Sequence, residues 1–138
     1  MCHYLSERKY NITAFSSKKF PLGKYHSSHI DDIIIGDIRD IKIIKKLSDK
    51  NFDIVIHLVS LDNYKSECDP NFVSSINLLP TWNLLSKLTD NGLKKFIYFS
   101  TIQVYGKLPL QTFSEVYDPL PLNMYGLSHL LSENICNY

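Results

Sequence analysis

The chain has 138 residues, of which 44% are hydrophobic and 21% charged, a composition typical of one folded globular domain rather than of a disordered segment. Lysine and arginine number 15 and aspartate and glutamate 14, which leaves a formal charge of +1. Because a chain without a net basic field is poorly suited to bind nucleic acid, we expect no nucleic acid among its partners.

The first third of the chain alternates helical and strand patterns. Residues 1–9 are predicted to be the end of a helix, and residues 11–16 (NITAFS) a strand. Residues 33–35 form a second β-branched run, which Gly36 ends. In residues 41–50, isoleucine and leucine recur at spacings of three with lysines opposite, which predicts an amphipathic helix.

The middle of the chain combines a buried strand with a long helix. Residues 52–60 (FDIVIHLVS) are almost continuously apolar, as in a strand covered on both faces. Asp69 is a good N-cap, Pro70 suits a first helical position and Gly92 suits the end of a helix. Pro80 lies inside this helix and predicts a kink or a break there. The periodicity predicts a buried face formed by Phe72, Ile76, Leu79, Trp82, Leu85 and Leu88.

The last third contains another apolar strand at 95–100 (KFIYFS), a loop with Pro109, Pro119 and Pro121, and a final helix from about Asn123. The alternation of apolar strands with helices predicts an α/β fold, a Rossmann-like, doubly wound parallel sheet. Ligands of such sheets bind beyond the carboxyl ends of the strands.

Cysteine usage and hydropathy bear on the compartment. Cys2, Cys68 and Cys136 are more than 60 residues apart and include no CxxC pair, which disfavours both a disulfide framework and a metal site. No apolar run approaches the ~20 residues that span a bilayer, and the first residues contain no signal-peptide stretch. We therefore expect a cytoplasmic protein without membrane contact.

Five short segments occur in an order and spacing that match a known pattern. They are GDIRD around Asp37, DIVIHLVS around His57, Asn77 in the long helix, STIQVYG at 100–106 and NMYG at 123–126. Together they resemble the NAD(P)-dependent epimerase/dehydratase family, the extended short-chain dehydrogenase/reductases that act on nucleotide sugars. The resemblance covers residues 1–138. It implies NAD or NADP as cofactor and a nucleotide sugar as substrate, and homodimers are common in the family.

The resemblance assigns roles to individual residues. Asp37, with Ile38 beside it, matches the acid that bonds the adenine amino group, and Thr101 matches the hydroxyl that bonds the substrate oxygen. Tyr125 matches the tyrosine that contacts the cofactor site and transfers the proton while hydride moves to or from nicotinamide. The family lowers the pKa of this phenol, ordinarily near 10, with a lysine four residues on. The alternatives are that Asp37 only caps a turn and that Thr101 only ends a strand.

His129 stands where the family has that lysine. Histidine has an unperturbed pKa near 6.5 and is mostly neutral at pH 7, so it supplies little of the charge that lowers the phenol's pKa. We therefore predict an epimerase/reductase-like protein whose catalytic set, Thr101, Tyr125 and His129, is impaired in hydride transfer. The alternative is a non-catalytic remnant of the family that binds nucleotides or serves as an interaction module.

Further candidate contacts to the cofactor lie at the ends of two strands. After the first strand, an acid would select NAD, whereas Ser16, Ser17 and Lys18 offer hydroxyls and positive charge and favour NADP. His57 is the other candidate. A histidine near a strand end is more often a hydrogen-bonded core residue than a ligand.

The pair after Thr101 is Ile102-Gln103, where the 4,6-dehydratases of the family have Asp-Glu, the acid and base for water loss. Neither side chain exchanges a proton, so 4,6-dehydration is disfavoured. Epimerase, reductase or decarboxylase ancestry remains.

The glycines are too far apart to form a phosphate-binding turn. They stand at positions 23, 36, 92, 106 and 126, so the closest pair is 13 residues apart and no GxxGxxG is present. The resemblance then implies one partial domain, residues 1–138, without the first strand and the C-terminal substrate region. The strands at 11–16 and 53–59 would pair directly, be bridged by another chain, or leave the polypeptide marginally stable.

Overall fold

The computed structural model describes most of the chain, namely residues 1–18, 29–67, 69–107 and 114–138. Gly23, Cys68 and Pro109 lie outside the described residues. The chain divides into two compact units, Met1–Ile43 and Ile44–Tyr138, and each contains a two-stranded parallel sheet. No helix within the described ranges combines the length and the apolar character that crossing a membrane requires.

The first unit is built around the parallel strands β1 (Thr13–Ser16) and β2 (Asp32–Ile35), which helix α1 (Cys2–Glu7) precedes. The Asp31 carboxylate accepts a hydrogen bond of 2.7 Å from Ile12 N and so extends the contact beyond the ladder. Both strands lie where the β-branched runs predict them, and the side chain of Ile34 is buried in the core.

Helix α2 (Ile41–Ser48) contains the division between the two units. Ile44 and Leu47 are buried, as the amphipathic pattern predicts, and the lysines of the helix are exposed. Ile41 is also exposed, so the apolar face begins later than the periodicity indicates.

The second unit pairs β3 (Ile54–His57) with β4 (Lys95–Tyr98) in parallel. The prediction of neighbouring parallel strands at 52–60 and 95–100 is therefore confirmed. The other elements of this unit are α3 (Asn63–Ser66), α4 (Pro70–Val73), a π-helical turn (Ser74–Leu78), α5 (Leu79–Asp90), a 3-10 turn (Ile102–Tyr105) and α6 (Met124–Asn137).

Strand pairing is observed inside each unit. Within the described ranges β1 pairs with β2, and β3 pairs with β4. Each pair joins two strands that are consecutive in the chain, the common outcome for sequential strands. How the strands at 11–16 and 53–59 relate to each other stays a prediction.

The long helix predicted after Asp69 is interrupted before Pro80. Helix α4 passes through the π-helical turn into α5, and Pro80 is the second residue of α5. Proline has no N–H to donate to the carbonyl four residues earlier, and its ring crowds that carbonyl. Because a π-helical turn is wider, it accommodates the proline, and the predicted kink or break takes the form of this turn in a continuous helical segment.

The buried face of this segment differs from the one that the apolar periodicity predicts. Trp82 is 59% and Leu79 49% exposed, whereas Asn77 and Thr81 are fully buried. The π-helical turn changes the register, and the side facing the core carries polar residues that find hydrogen-bond partners there. The buried positions are Val73, Asn77, Pro80, Thr81, Leu84 and Leu88.

Candidate functional site

In the first unit, Asp37 follows the end of β2 and pairs with Arg39. Its Oδ1 accepts hydrogen bonds of 2.9 Å from both Arg39 N and Arg39 Nε. The guanidinium hydrogen bond, followed by the bond from the backbone N–H, lowers the pKa of Asp37 to about 2. The carboxylate is ionised, about half exposed and capping a turn. Its contact with adenine stays a prediction.

The other candidates of the first unit differ in accessibility. Ser16 Oγ accepts a hydrogen bond of 3.3 Å from Lys18 N at the carboxyl end of β1. Ser17 and Lys18 are exposed, so their hydroxyl and ammonium groups are accessible to a ligand. Ile38 is 6% exposed and its side chain belongs to the core.

In the second unit, Thr101 begins the 3-10 turn that follows β4. Its Oγ1 accepts a hydrogen bond of 3.4 Å from Gln103 N. Gln103 Oε1 in turn accepts from Asn123 Nδ2 at 2.7 Å, and Asn123 Oδ1 caps helix α6 by accepting from Gly126 N. Side-chain hydrogen bonds thus connect the Thr101 turn to the first turn of the helix that carries Tyr125.

Gly126 permits the close approach of α6 to the 3-10 turn. A Cβ atom at this position would lie 2.5 Å from the Gln103 carbonyl oxygen and 3.0 Å from its carbonyl carbon. The obstacle is backbone, which a rotamer change cannot remove.

We expect Gly126→Ala to destabilise the chain by about 2 kcal/mol, because overpacking against backbone outweighs the better helix propensity of alanine. Urea unfolding followed by circular dichroism measures the change. Leu131→Ala, at a 43% exposed position of the same helix, is the control and should change stability little. A Gly126→Ala protein as stable as the parent would contradict this packing.

Tyr125 and His129 lie on one side of α6, four residues apart, as the sequence predicts. Their ring centroids are 4.5 Å apart in an edge-to-face arrangement. His129 is 2% exposed. Its Nδ1 lies 2.8 Å from the Tyr98 hydroxyl and its Nε2 lies 3.0 Å from Ser60 Oγ. Both ring nitrogens are therefore occupied by groups of the protein.

Burial lowers the pKa of His129 from its ordinary value of 6.5. The imidazole is accordingly neutral at pH 7, where a lysine would be charged. The ring of Tyr125 thus lies beside an uncharged group.

His57 is a buried, hydrogen-bonded histidine at the end of β3. It is 4% exposed, and its Nε2 lies 3.1 Å from Thr81 Oγ1. Burial, and secondarily a charge on His129, lower the pKa of His57 to about 4. These contacts favour the core role that the sequence analysis names as the commoner one, and its contact with a cofactor stays a prediction.

Asn77, in the π-helical turn, connects three parts of the second unit. Its Oδ1 accepts from Leu61 N at 2.7 Å and its Nδ2 donates to Ser128 Oγ at 2.9 Å. Ser128 Oγ donates to the carbonyl of Tyr125, and Ser132 Oγ donates to the carbonyl of Asn77. Asn77 therefore holds α6, and with it Tyr125, in position.

Ser60 and Tyr98 are site residues that the sequence did not predict. They lie 69 and 31 residues from His129 along the chain. Neither stands in a local pattern with His129, so only the fold brings the three together. Ser60 is the last residue of the apolar run 52–60, near the strand end where ligands of parallel sheets bind, and this was the available signal.

The chain is similar in sequence and fold to known proteins. The model of the NAD dependent epimerase/dehydratase family matches residues 1–138. The chain belongs to this family. The resemblance inferred from the five segments is thereby confirmed, as is the Rossmann-like fold class, since the similar solved structures include dinucleotide-bound family members.

Two curated relatives illustrate the similarity. UDP-glucose 4-epimerase 3 of Oryza sativa subsp. japonica is 32% identical over 105 residues, which are 75% of this chain and 28% of that protein. UDP-glucose 4-epimerase of Halalkalibacterium halodurans is 30% identical over 122 residues, 85% of this chain and 36% of that protein. The chain thus spans about a third of the length of these epimerases.

A solved structure of the family is similar over nearly the whole chain. UDP-glucuronic acid 4-epimerase from Bacillus cereus, in complex with NAD, has a TM-score of 0.77 and 26% sequence identity. The similarity covers 99% of this chain and 46% of that epimerase.

Proposed function

We propose that this epimerase/dehydratase family protein acts on a nucleotide sugar as an epimerase or reductase and is impaired in hydride transfer. The observation that supports the proposal is the state of His129, which is buried, neutral and bonded through both ring nitrogens to Tyr98 and Ser60. A group so held offers Tyr125 no positive charge.

Tyr125 would be the proton-transferring group of this site. A proton acceptor works best when its pKa is near the operating pH, whereas a phenol ordinarily titrates near 10. Each unit by which a neighbouring cation lowers the pKa is equivalent to about 1.4 kcal/mol. A neutral His129 supplies no such cation beside Tyr125, while Thr101 is still available to orient a substrate oxygen.

The residues of the first unit fit the adenosine half of a dinucleotide. Asp37 is an ionised, half-exposed carboxylate just after β2, and Ser17 and Lys18 are exposed just after β1. Asp37 would bond the adenine amino group, and Lys18 would favour a 2′-phosphate and so NADP over NAD. The nicotinamide, when bound, supplies the hydride-accepting carbon.

We expect His129→Lys to raise the rate of nucleotide-sugar conversion by about tenfold or more, because an ammonium group beside a phenol favours proton transfer from it. Chromatographic separation of UDP-glucose from its 4-epimer measures turnover, because epimerisation returns the hydride to the sugar and leaves no net reduced cofactor. His129→Gln is the matched control, since it removes the imidazole without adding charge. No gain in His129→Lys over the parent would refute the proposed cause of impairment.

A non-catalytic role is the second candidate, because His129 has both nitrogens committed to protein partners. Calorimetric titration with NAD, NADP and UDP-glucose distinguishes the two. Ligand binding without turnover in either the parent or His129→Lys favours the non-catalytic role. Turnover in His129→Lys favours the impaired enzyme.

A further inference from the structure

The hydrogen bond of Ser60 to its own neighbour determines which nitrogen of His129 carries a hydrogen. Ser60 Oγ donates its single proton to the Leu61 carbonyl oxygen at 2.7 Å. Only its lone pairs then remain for the contact with His129 Nε2 at 3.0 Å. Because two lone pairs repel, Nε2 carries a hydrogen and donates it to Ser60.

The state of the other ring nitrogen follows by counting hydrogens. A neutral imidazole has one N–H, so Nδ1 of His129 has a lone pair and accepts. The Tyr98 hydroxyl, 2.8 Å away, is the donor. Burial raises the pKa of Tyr98 to about 12, so the phenol retains the proton that it donates. Tyr98 thus donates to His129, His129 donates to Ser60, and Ser60 donates to the Leu61 carbonyl.

We propose that Tyr98 and Ser60 are positioning residues that fix His129 as the neutral Nε2–H tautomer beside Tyr125. The effect of this tautomer on catalysis rests on the proposed function, whereas the assignment of the tautomer itself follows from the hydrogen bonds. Protonation of Nδ1 would require the half-buried Tyr98 hydroxyl to change from donor to acceptor. A positive charge on His129 would also repel a positive charge on His57, on β3, because the charge of His129 lowers the pKa of His57.

Nitrogen-15 NMR of the full chain with labelled histidine tests the proposal at pH 8, and His129→Gln identifies the signals of His129. We expect the Nε2–H tautomer in the parent. Ser60→Ala removes the acceptor for that hydrogen, so the ratio of Nε2–H to Nδ1–H should fall about tenfold, equivalent to ~1.4 kcal/mol for one hydrogen bond. Ser86→Ala, at an exposed serine of α5 that bonds the Asn83 carbonyl, is the control and leaves the ratio unchanged.

Tyr98→Phe gives a different signature. The Nε2–H tautomer should persist, because Ser60 still accepts, while the Nδ1 resonance moves to the position of an imine nitrogen without a donor. A parent protein in the Nδ1–H or imidazolium form, or a ratio that Ser60→Ala leaves unchanged, would overturn the proposal. The spectra require neither cofactor nor turnover. A failure of the tautomer assignment is therefore distinguishable from a failure of the proposed function, which the His129→Lys assay tests.

Discussion

Replacing Asn77 with alanine is expected to lower the free energy of unfolding by about 4 kcal/mol. The side chain is fully buried and makes two short hydrogen bonds, to Leu61 N and to Ser128 Oγ. Alanine removes both bonds and leaves the half-buried backbone N–H of Leu61 without its acceptor, at roughly 1–3 kcal/mol for an unsatisfied group. The cavity adds to the loss. Since small domains have about 5–15 kcal/mol in total, the variant should be close to unfolded at 37 °C.

Urea unfolding followed by Trp82 fluorescence and circular dichroism measures this change. Asn83→Ala is the matched control, because it removes the same side chain from an exposed position of α5. It should change stability by less than about 0.5 kcal/mol. Equal stabilities of the two variants would mean that Asn77 does not hold Leu61 and α6 together.

Lowering the pH from 6.5 to 4 is expected to remove about 3 kcal/mol of the unfolding free energy through His57 alone. Burial, and after it the charge of His129, lower the pKa of His57 from 6.5 to about 4 in the folded chain. Between these values the unfolded chain binds a proton that the folded chain does not, so stability falls by up to about 1.4 kcal/mol per pH unit. Above pH 6.5 the contribution is fully present. His129, whose pKa burial also lowers, acts in the same direction.

Urea midpoints recorded from pH 7.5 to pH 4 give the slope. His57→Gln should flatten it, because glutamine does not titrate, even though the variant is less stable at neutral pH. His3→Gln, at an exposed position of α1, should retain the slope of the parent. An unchanged slope in His57→Gln would assign the acid sensitivity to other groups.

The strands were predictable because their signal is local. Continuous apolar runs at 52–60 and 95–100 predict strands, and these runs contain β3 and β4. Coverage on both faces is wrong for both strands, since Ile54 and Ile97 are exposed. The break before Pro80 was equally local, since it follows from the missing N–H of one residue. The buried face of α5 was not predictable from apolar periodicity, because Asn77 and Thr81 lie in the core through hydrogen bonds to distant partners.

The candidate site was predictable only where its residues are close together in the sequence. Tyr125 and His129 are one helical turn apart, so their proximity follows from helix geometry. The partners of His129 come from the segment after β3 and from β4, and only the parallel pairing of these strands brings Ser60 and Tyr98 to the same imidazole. A histidine at position 129 indicates a weak base from the sequence alone. The neutral state of His129 depends on its burial and on the hydroxyl groups of Ser60 and Tyr98.

The π-helical turn at Ser74–Leu78 has a consequence for the length of this segment. One residue fewer would restore ordinary α-helical spacing and rotate everything on the amino side by about 100° around the axis. Val73 would then leave the interior, although no atom of its side chain had changed. A single-codon deletion here would therefore be as disruptive as a substitution in the core, and the number of residues between Asp69 and Pro80 is itself part of what the fold specifies.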